Sequence, residues 1–413
     1  MNFHRIATSL MLVLASVVLC AGAAFGDDAD PRGWRLVWSA NPATTATLSW
    51  NTTGATKRNR LRLWTKNEKN ARKITCGRNG RYSSSETTLY YHHAMLTGLK
   101  PSTTYYVELE SDGKKSRKFY FITAPDKDRP FSILFGGDSR SDRNARQQIN
   151  RTLALMLERS TLAVNFGQRG AKAGEILALA HGGDYVATGT NLPQWSAWMR
   201  DHELTTTTNG RLLPIIPARG NHDGGPLFNE VFGFPPDNPN YYALRIGPQV
   251  ALLTLNSETS MAGKQARWLT NVLRLARAKS RWLLAQYHSP AFPAYKRPSG
   301  ALQNFVPLFE RFNADLVMEA DGHTIKRTVP IRGGKQDKTG VVYIGEGGLG
   351  VKPRTPKKDR AYLKPPGVAS SGHHVQKITF TDKELKVQTI LFDISDIEKE
   401  LEVFDTYTRK PRP

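Results

Sequence analysis

The sequence predicts an all-β sandwich followed by an α/β domain, and three features predict it. Residues 31–125 are rich in Thr, Tyr, Trp and Val, with turn signals between short runs. Over residues 130–395, short apolar runs alternate with helical patterns. Five short segments place Asp, Asn or His where a buried strand of that second region would end. In an open α/β sheet the carboxyl ends of the strands share one crevice, so residues distant in sequence can meet there. At 413 residues the chain is long enough for two domains with sizeable cores.

Residues 1–26 read as a secretory signal peptide. Arg5 lies in a short n-region, an apolar stretch runs from Ile6 to Ala24, and Ala24-Phe25-Gly26 is a small-residue cleavage site. The apolar stretch is about as long as a membrane span, so an uncleaved anchor is the alternative. Leu19 directly before Cys20 fits a lipidation site poorly. No later stretch is long and apolar enough to cross a bilayer, so cleavage implies a periplasmic or secreted chain without a transmembrane span. Cleavage removes Cys20 and leaves Cys76 with no internal partner, which puts stability on the core and bound metal rather than on a disulfide.

In the first domain, Ala46 to Trp50, Leu61 to Thr65, Thr104 to Glu108 and Lys118 to Ile122 read as strands, being rich in β-branched and aromatic residues. Ala124-Pro125-Asp126-Lys127-Asp128 reads as a linker. Beyond it, Phe131 to Phe135, Ile176 to Ala180, Leu212 to Pro217, Trp282 to Ala285 and Leu316 to Met318 are apolar runs of buried-strand length. Ala145, Ile149, Leu153 and Met156 mark one face of a helix after the first of them. Val375 to Phe380 is strand-like, residues 352–366 form a Lys/Pro-rich loop, and residues 396–413 read as a loose charged tail.

The five segments are Gly137-Asp138-Ser139-Arg140, Gly183-Asp184-Tyr185-Val186, Gly220-Asn221-His222-Asp223, His288 at the end of Ala285-Gln286-Tyr287-His288, and Ala320-Asp321-Gly322-His323. A single Gly-Asp is a common turn, and a lone Asn or His is an ordinary loop residue. The ordered set points instead to a metal centre. It resembles the calcineurin-like metallophosphoesterases, and within them the purple acid phosphatases and their bacterial relatives, over roughly residues 31–395. Gly-Asn-His-Asp at 220–223 is the most specific match. The resemblance implies an α/β sandwich of two mixed β-sheets flanked by helices, and an acid-phosphatase-like hydrolase acting on phosphate esters of small molecules or polymers. Leu96-Thr97-Gly98-Leu99-Lys100-Pro101, with Tyr105 and Tyr106 beyond, resembles the corner before a late strand of fibronectin type III sandwiches, the kind of module purple acid phosphatases carry at their N-terminus.

Carried onto this chain, the resemblance gives one metal Asp138, bridging Asp184 and His323, and the other Asp184, Asn221, His288 and Asp321. The fifth segment is aligned on Lys326-Arg327-Thr328; shifting it by two would put Ile325 at a ligand position, which no metal can use. A ligand set this rich in oxygen suits iron, manganese, magnesium or calcium, and zinc also accepts it. Two cations about 3.5–4 Å apart lower the pKa of a shared water and clamp phosphoryl oxygens during in-line attack. His222 is implied to serve the leaving group as acid or charge stabiliser, with Asp223 orienting it. Arg140 offers a planar fork to the phosphate. His373 and His374 are read as surface or supporting residues, with a direct metal role for either as the alternative, His181 as a supporting residue, and His92 and His93 as structural.

Three departures stand out. The tyrosine that gives purple enzymes their colour is replaced by Ala187, the His of an Asp-x-His first motif by Arg140, and a His of the fifth motif by Asp321. They give weight to a binding protein for anionic polymer or lipid with a degraded metal site. Within the enzymes, a phosphodiesterase or nucleotide pyrophosphatase is the alternative, set by whether basic side chains close the pocket around a dianion or leave room for a second ester group.

Net charge is +22, and residues 31–125 hold 17 Lys or Arg against 5 Asp or Glu, a balance of +12. Lys57, Arg58, Arg60 and Arg62, and nearby Lys66, Lys69, Arg72 and Lys73, create a field that attracts anionic polymers, lipid or phosphorylated substrates. No specific nucleic-acid motif accompanies it, and a solvated basic face is the plainer reading.

Overall fold

A computed structural model describes residues 28–85, 87–165, 174–397 and 399–412, so the signal expected over residues 1–26 lies outside the described residues. Among those described, no helix is long and apolar enough to cross a membrane. The N-terminal region folds into β1 (Arg32–Val37), β2 (Ala46–Thr52), β3 (Asn59–Trp64), β4 (Arg72–Thr75), β5 (Arg78–Arg81), β6 (Tyr90–Leu96), β7 (Thr104–Ser111), β8 (Lys114–Lys115) and β9 (Phe119–Ile122). One layer of this sandwich is β1-β2-β6-β5; the facing layer is β4-β3-β7-β8, with β9 pairing the other part of β7. Leu48, Trp50, Ala94 and Leu96 from one layer pack with Leu61, Leu63, Val107 and Phe121 from the other. At the predicted corner the Tyr105 hydroxyl accepts the Lys100 backbone N–H at 2.8 Å.

The α/β region follows as β10 (Phe131–Gly136), α1 (Arg143–Asn165), β11 (Glu175–His181), α2 (Leu192–His202), β12 (Ile215–Pro217), α3 (Leu227–Phe232), β13 (Tyr242–Ile246), β14 (Val250–Thr254), α4 (Lys264–Lys279), β15 (Trp282–Tyr287), α5 (Ala301–Asn304), α6 (Val306–Arg311) and β16 (Leu316–Glu319). Then come β17 (Ile325–Arg327), a small hairpin of β18 (Ile331–Arg332) and β19 (Lys335–Gln336), β20 (Val342–Gly345), β21 (Val368–Ser370), β22 (His374–Phe380), β23 (Leu385–Leu391) and β24 (Glu402–Arg409). They form two mixed sheets. The second sheet runs β13-β14-β15-β16-β20-β17-β21, with β14, β15, β16 and β20 parallel. The first runs β24-β23-β22-β10-β11-β12 and then continues without a break into β1-β2-β6-β5 of the N-terminal sandwich, ten strands in all. The join is the parallel pairing of β12 and β1, where Trp38 donates its N–H to the Ile215 carbonyl at 2.9 Å.

Both faces of the central strands are apolar because both are covered. Along β15, Trp282 and Leu284 face the core between the sheets while Leu283, Ala285 and Tyr287 face the outer helices. Strands β14, β16 and β20 divide their residues in the same way. The inner cluster includes Ile133, Phe135 and Ala180 against Leu252, Met318 and Ile344, and is continuous with the N-terminal sandwich core. Outside the first sheet, Ile149, Leu153 and Leu157 of α1 cover Leu134, Leu179 and Val375. Asp142 starts that helix by accepting the Ala145 N–H at 2.9 Å, an N-cap bond.

Two expectations are corrected. Leu212 and Leu213 do not belong to a strand: Pro214 intervenes, and β12 begins only at Ile215. The charged C-terminal segment is not a loose tail. β24 pairs with β23 over most of its length, and Arg409 and Arg412 reach the buried Asp315 carboxylate, which anchors it.

Candidate metal centre

Backbone conformation sets this site before any side chain is considered. Asp138, Asp184, Asp321 and His323 have φ of 55°, 62°, 68° and 57°. A left-handed residue other than glycine costs on the order of 1–2 kcal/mol, and Asp is among those that bear it best. All four lie just past β10, β11 and β16, at the carboxyl ends of interior strands. Nearby glycines let the carboxylates approach backbone. A Cβ at Gly220 would lie 2.3 Å from Asp184 Oδ1, and one at Gly347 would lie 2.5 Å from Asp138 Oδ2.

The convergence centres on His288, which is fully buried at the end of β15. Its Nδ1 lies 2.9 Å from the Gly182 carbonyl, which only accepts, so Nδ1 carries a proton and Nε2 faces the site. Around Nε2 stand Asn221 Oδ1 at 2.9 Å, Asp184 Oδ1 at 3.3 Å and Asp321 Oδ1 at 3.5 Å. One N–H cannot serve three oxygens, whereas a cation can. Ligand atoms of Asp138, Asp184, His288 and Asp321 all lie within 4.8 Å of one another. This donor set fits a hard or borderline metal ion. The groups polarise each other: burial opposes charging His288, but the Asp184 and Asp321 carboxylates hold its pKa well above the usual imidazole value. Burial likewise opposes ionising Asp321, yet His288 and Lys296 keep it down at about 2.

The other half of the cluster differs. Asp138 Oδ1 lies 3.2 Å from His323 Nε2 and receives no hydrogen bond from the described residues, while Asp138 Oδ2 accepts the Asp321 N–H at 2.8 Å. Arg140 is turned inward: its Nε donates to Asp184 Oδ2 at 2.9 Å, and its Nη2 lies 3.4 Å from His323 Nε2. The Lys296 ammonium bonds Asp321 Oδ1. Arg140 is therefore held against the expected ligands rather than presented as a free fork.

His222 donates its backbone N–H to Asp184 Oδ1 at 2.9 Å, and its ring Nδ1 lies 2.7 Å from the Ala187 carbonyl. That leaves ring Nε2, 4.0 Å from Asp184 Oδ2, toward the cluster. The role expected for Asp223 is corrected. Instead of orienting the His222 ring, its buried carboxylate accepts backbone N–H groups of Asp184, Gly220 and Tyr185 at 2.8–3.0 Å. It ties the second and third segments together, and burial with neighbouring Asp184 pushes its pKa up to about 7.

Tyr185 points away from the ligands. Its ring stacks 4.0 Å from His181 and packs against Trp198 and Phe232. His181 bonds Ser139 Oγ at 3.0 Å, and His374 is buried with its ring against Gly348. Beneath Asp321 and His323, and not anticipated from sequence, lies a wholly buried Lys326. Its Nζ reaches Glu319 at 2.5 Å, Glu346 at 3.0 Å and the Phe292 carbonyl at 2.9 Å. Beside Asn221 opens a cleft of about 770 Å³ whose lining includes Asn238, Asn240, Asn256 and Lys264.

Residues 31–123 match the family described as purple acid phosphatase, N-terminal domain, and residues 131–326 match the calcineurin-like phosphoesterase family. An uncharacterized protein of Mycobacterium tuberculosis is 25% identical over 340 residues, covering 73% of this chain and 63% of the other. Purple acid phosphatase 23 of Arabidopsis thaliana is 26% identical over 289 residues, 62% of each chain. The chain thus spans about 62–63% of the length of these curated relatives. Among solved structures, a purple acid phosphatase from yellow lupin seeds superposes with a TM-score of 0.75 at 16% identity, covering 92% of this chain and 74% of that one. A structure of PhoD gives 0.68 at 10% identity, covering 93% and 91%. At such identities the structural likeness is one of fold.

Proposed function

We propose that this chain, which belongs to the calcineurin-like phosphoesterase family and carries a purple acid phosphatase N-terminal domain ahead of it, is a metal-dependent hydrolase of phosphate esters. The observation that carries this reading is the ring of Asn221, Asp184 and Asp321 oxygens around His288 Nε2. Asn221, His288, Asp184 and Asp321 would hold a metal ion, with Asp138 and His323 beside them. A metal ion there supplies Lewis acidity toward a phosphoryl oxygen and makes a water more acidic.

The chain's own groups do the rest. Asp223 fixes the backbone of Asp184 relative to Gly220, so that Asn221 and Asp184 keep their spacing. His222 holds its Nδ1 N–H on the Ala187 carbonyl, which turns ring Nε2 toward the cluster, where it can serve a departing ester oxygen. The amide-lined cleft beside Asn221 gives a polar leaving group room. Its breadth is also the feature that favours the second reading, a phosphodiesterase, because it admits a second ester substituent.

Export is part of the proposal and is supported by the apolar leader at residues 1–26. Attraction of anionic polymer or lipid to the N-terminal domain is a further part. There Arg60, Arg62 and Lys118 pair with Glu110, Glu108 and Glu68, while Lys66, Lys69, Arg72 and Lys73 stay exposed around β4. The test is hydrolysis of a chromogenic monoester and diester after reconstitution with iron, manganese, zinc, magnesium or calcium. Turnover of the monoester supports a phosphatase, turnover of the diester alone supports the second reading, and turnover of neither refutes both.

A further inference from the structure

The two halves of the cluster are not equivalent. On the His288 side, three oxygens converge on one ring nitrogen, and the cation that touches them, Lys296, is a third exposed and bonds Asp321 alone among them. On the Asp138 side, the guanidinium of Arg140 already engages Asp184 Oδ2 and His323 Nε2, two of the three atoms a second metal would take. Arg140 is 13% exposed, its Nη1 is held by Ser141 Oγ at 3.2 Å, and it stands where an Asp-x-His motif would supply a neutral ligand. A guanidinium cannot be deprotonated in a protein and offers no lone pair, so it cannot share those atoms with a metal ion.

We infer that this chain binds a single metal ion, on Asp184, Asn221, His288 and Asp321, and that Arg140 is a built-in cation in place of the second. The inference rests on the metal-dependent reading of the site and refines it: one positive charge is exchangeable and the other is covalent to the chain. Asp138 then acts mainly through its buried contact with His323 and its acceptance of the Asp321 N–H, which positions a ligand of the single ion.

Metal stoichiometry tests this independently of turnover. The full chain is stripped with chelator, loaded with excess manganese, passed through a desalting column and analysed for manganese per chain, with its electron paramagnetic resonance spectrum recorded. Wild type is expected to hold one ion with the signal of isolated Mn(II). Arg140→His recreates Asp-x-His and is expected to hold two ions whose signals are exchange-coupled; Arg140→Lys, which keeps the charge, is expected to stay at one. Circular dichroism identifies a variant that fails to fold, and Arg140→Ala then serves, with an expected rise above one ion at high manganese. Two coupled ions in wild type, no ion in wild type, or no rise above one ion in both folded Arg140→His and Arg140→Ala would overturn the inference. Hydrolysis is read separately. One bound ion with no turnover of either ester leaves the single-metal assignment standing and removes the proposed activity.

Discussion

Lys326→Met should be among the most damaging single substitutions outside the ligand set. Lys326, Glu319 and Glu346 have no exposed side-chain surface. The ammonium spends all three of its protons, on Glu319 Oε2 at 2.5 Å, Glu346 Oε1 at 3.0 Å and the Phe292 carbonyl at 2.9 Å. Methionine has a similar length and fills the space, so the loss is electrostatic rather than a cavity. Removing one partner from a buried ionic group costs about 3–5 kcal/mol, because the remaining charge is left uncompensated. Here two carboxylates remain, and each keeps other donors: Glu319 holds the Tyr287 hydroxyl and the Ala291 N–H, while Glu346 holds Thr324 Oγ1. Those residual bonds place the loss near the middle of the range, about 4 kcal/mol, or about a thousandfold in the folded-to-unfolded ratio. Urea unfolding of the metal-free chain at pH 8 reads it directly. Lys326→Met with Glu346→Gln should recover most of the loss, since the double variant removes one of the stranded charges. A loss below about 1 kcal/mol in the single variant, or no recovery in the double, would show that the triad does not carry the charge balance argued for it.

Other substitutions probe separate features. Burial pushes the Glu203 carboxyl from 4.5 up to about 7. A raised folded-state pKa gives stability that is complete below about 4.5 and lost as pH rises through about 7. Glu203→Gln keeps the oxygen that accepts the Gly33 N–H, so it should stabilise the chain by about 3 kcal/mol at pH 8 and hardly at pH 4, measured by urea midpoint; equal effects at both pH values would contradict this. The iron-loaded protein should lack a tyrosinate charge-transfer band, because position 187 is Ala and Tyr185 is packed among His181, Trp198 and Phe232. A visible band abolished by Tyr185→Phe would count against that placement. His222→Ala should lower the rate about 10²–10⁴-fold on an alkyl phosphate and less on an aryl one, with metal content unchanged. Loss of metal instead would make His222 a ligand.

The strand-end ligands were legible because each couples two local signals, an apolar run and a turn residue that tolerates a left-handed backbone, as at Asp138 and Asp184. Chemistry that depends on distant pairing was not legible. Nothing local marks Lys326 and Glu319 as partners; β16, β17 and β20 bring them together with Glu346 in one sheet. Lys296 comes from a loop whose position no periodicity reveals, and Asp223, read as an orienting acid, spends both oxygens on backbone N–H groups of a neighbouring segment. The last strand was missed because β24 shows a charged, exposed face with only weak alternation. Its place was fixed by β23 and Asp315, not by its own residues.

The sheet that passes from β12 into β1 changes what counts as a part of this protein. Two family profiles divide the chain near residue 125, yet that boundary cuts hydrogen bonds and a shared apolar cluster rather than a tether. Removing residues 31–125 would turn β12 from an interior strand into a raw edge, the kind that recruits strands from other molecules. It would also strip Val37 and Tyr82 from the aromatic cluster packed around Tyr185, one residue beyond Asp184. The two regions are therefore expected to melt in one transition. Exchange of the N-terminal region between relatives would have to preserve the β1 edge, so recombination at this boundary is constrained by strand register as well as by sequence.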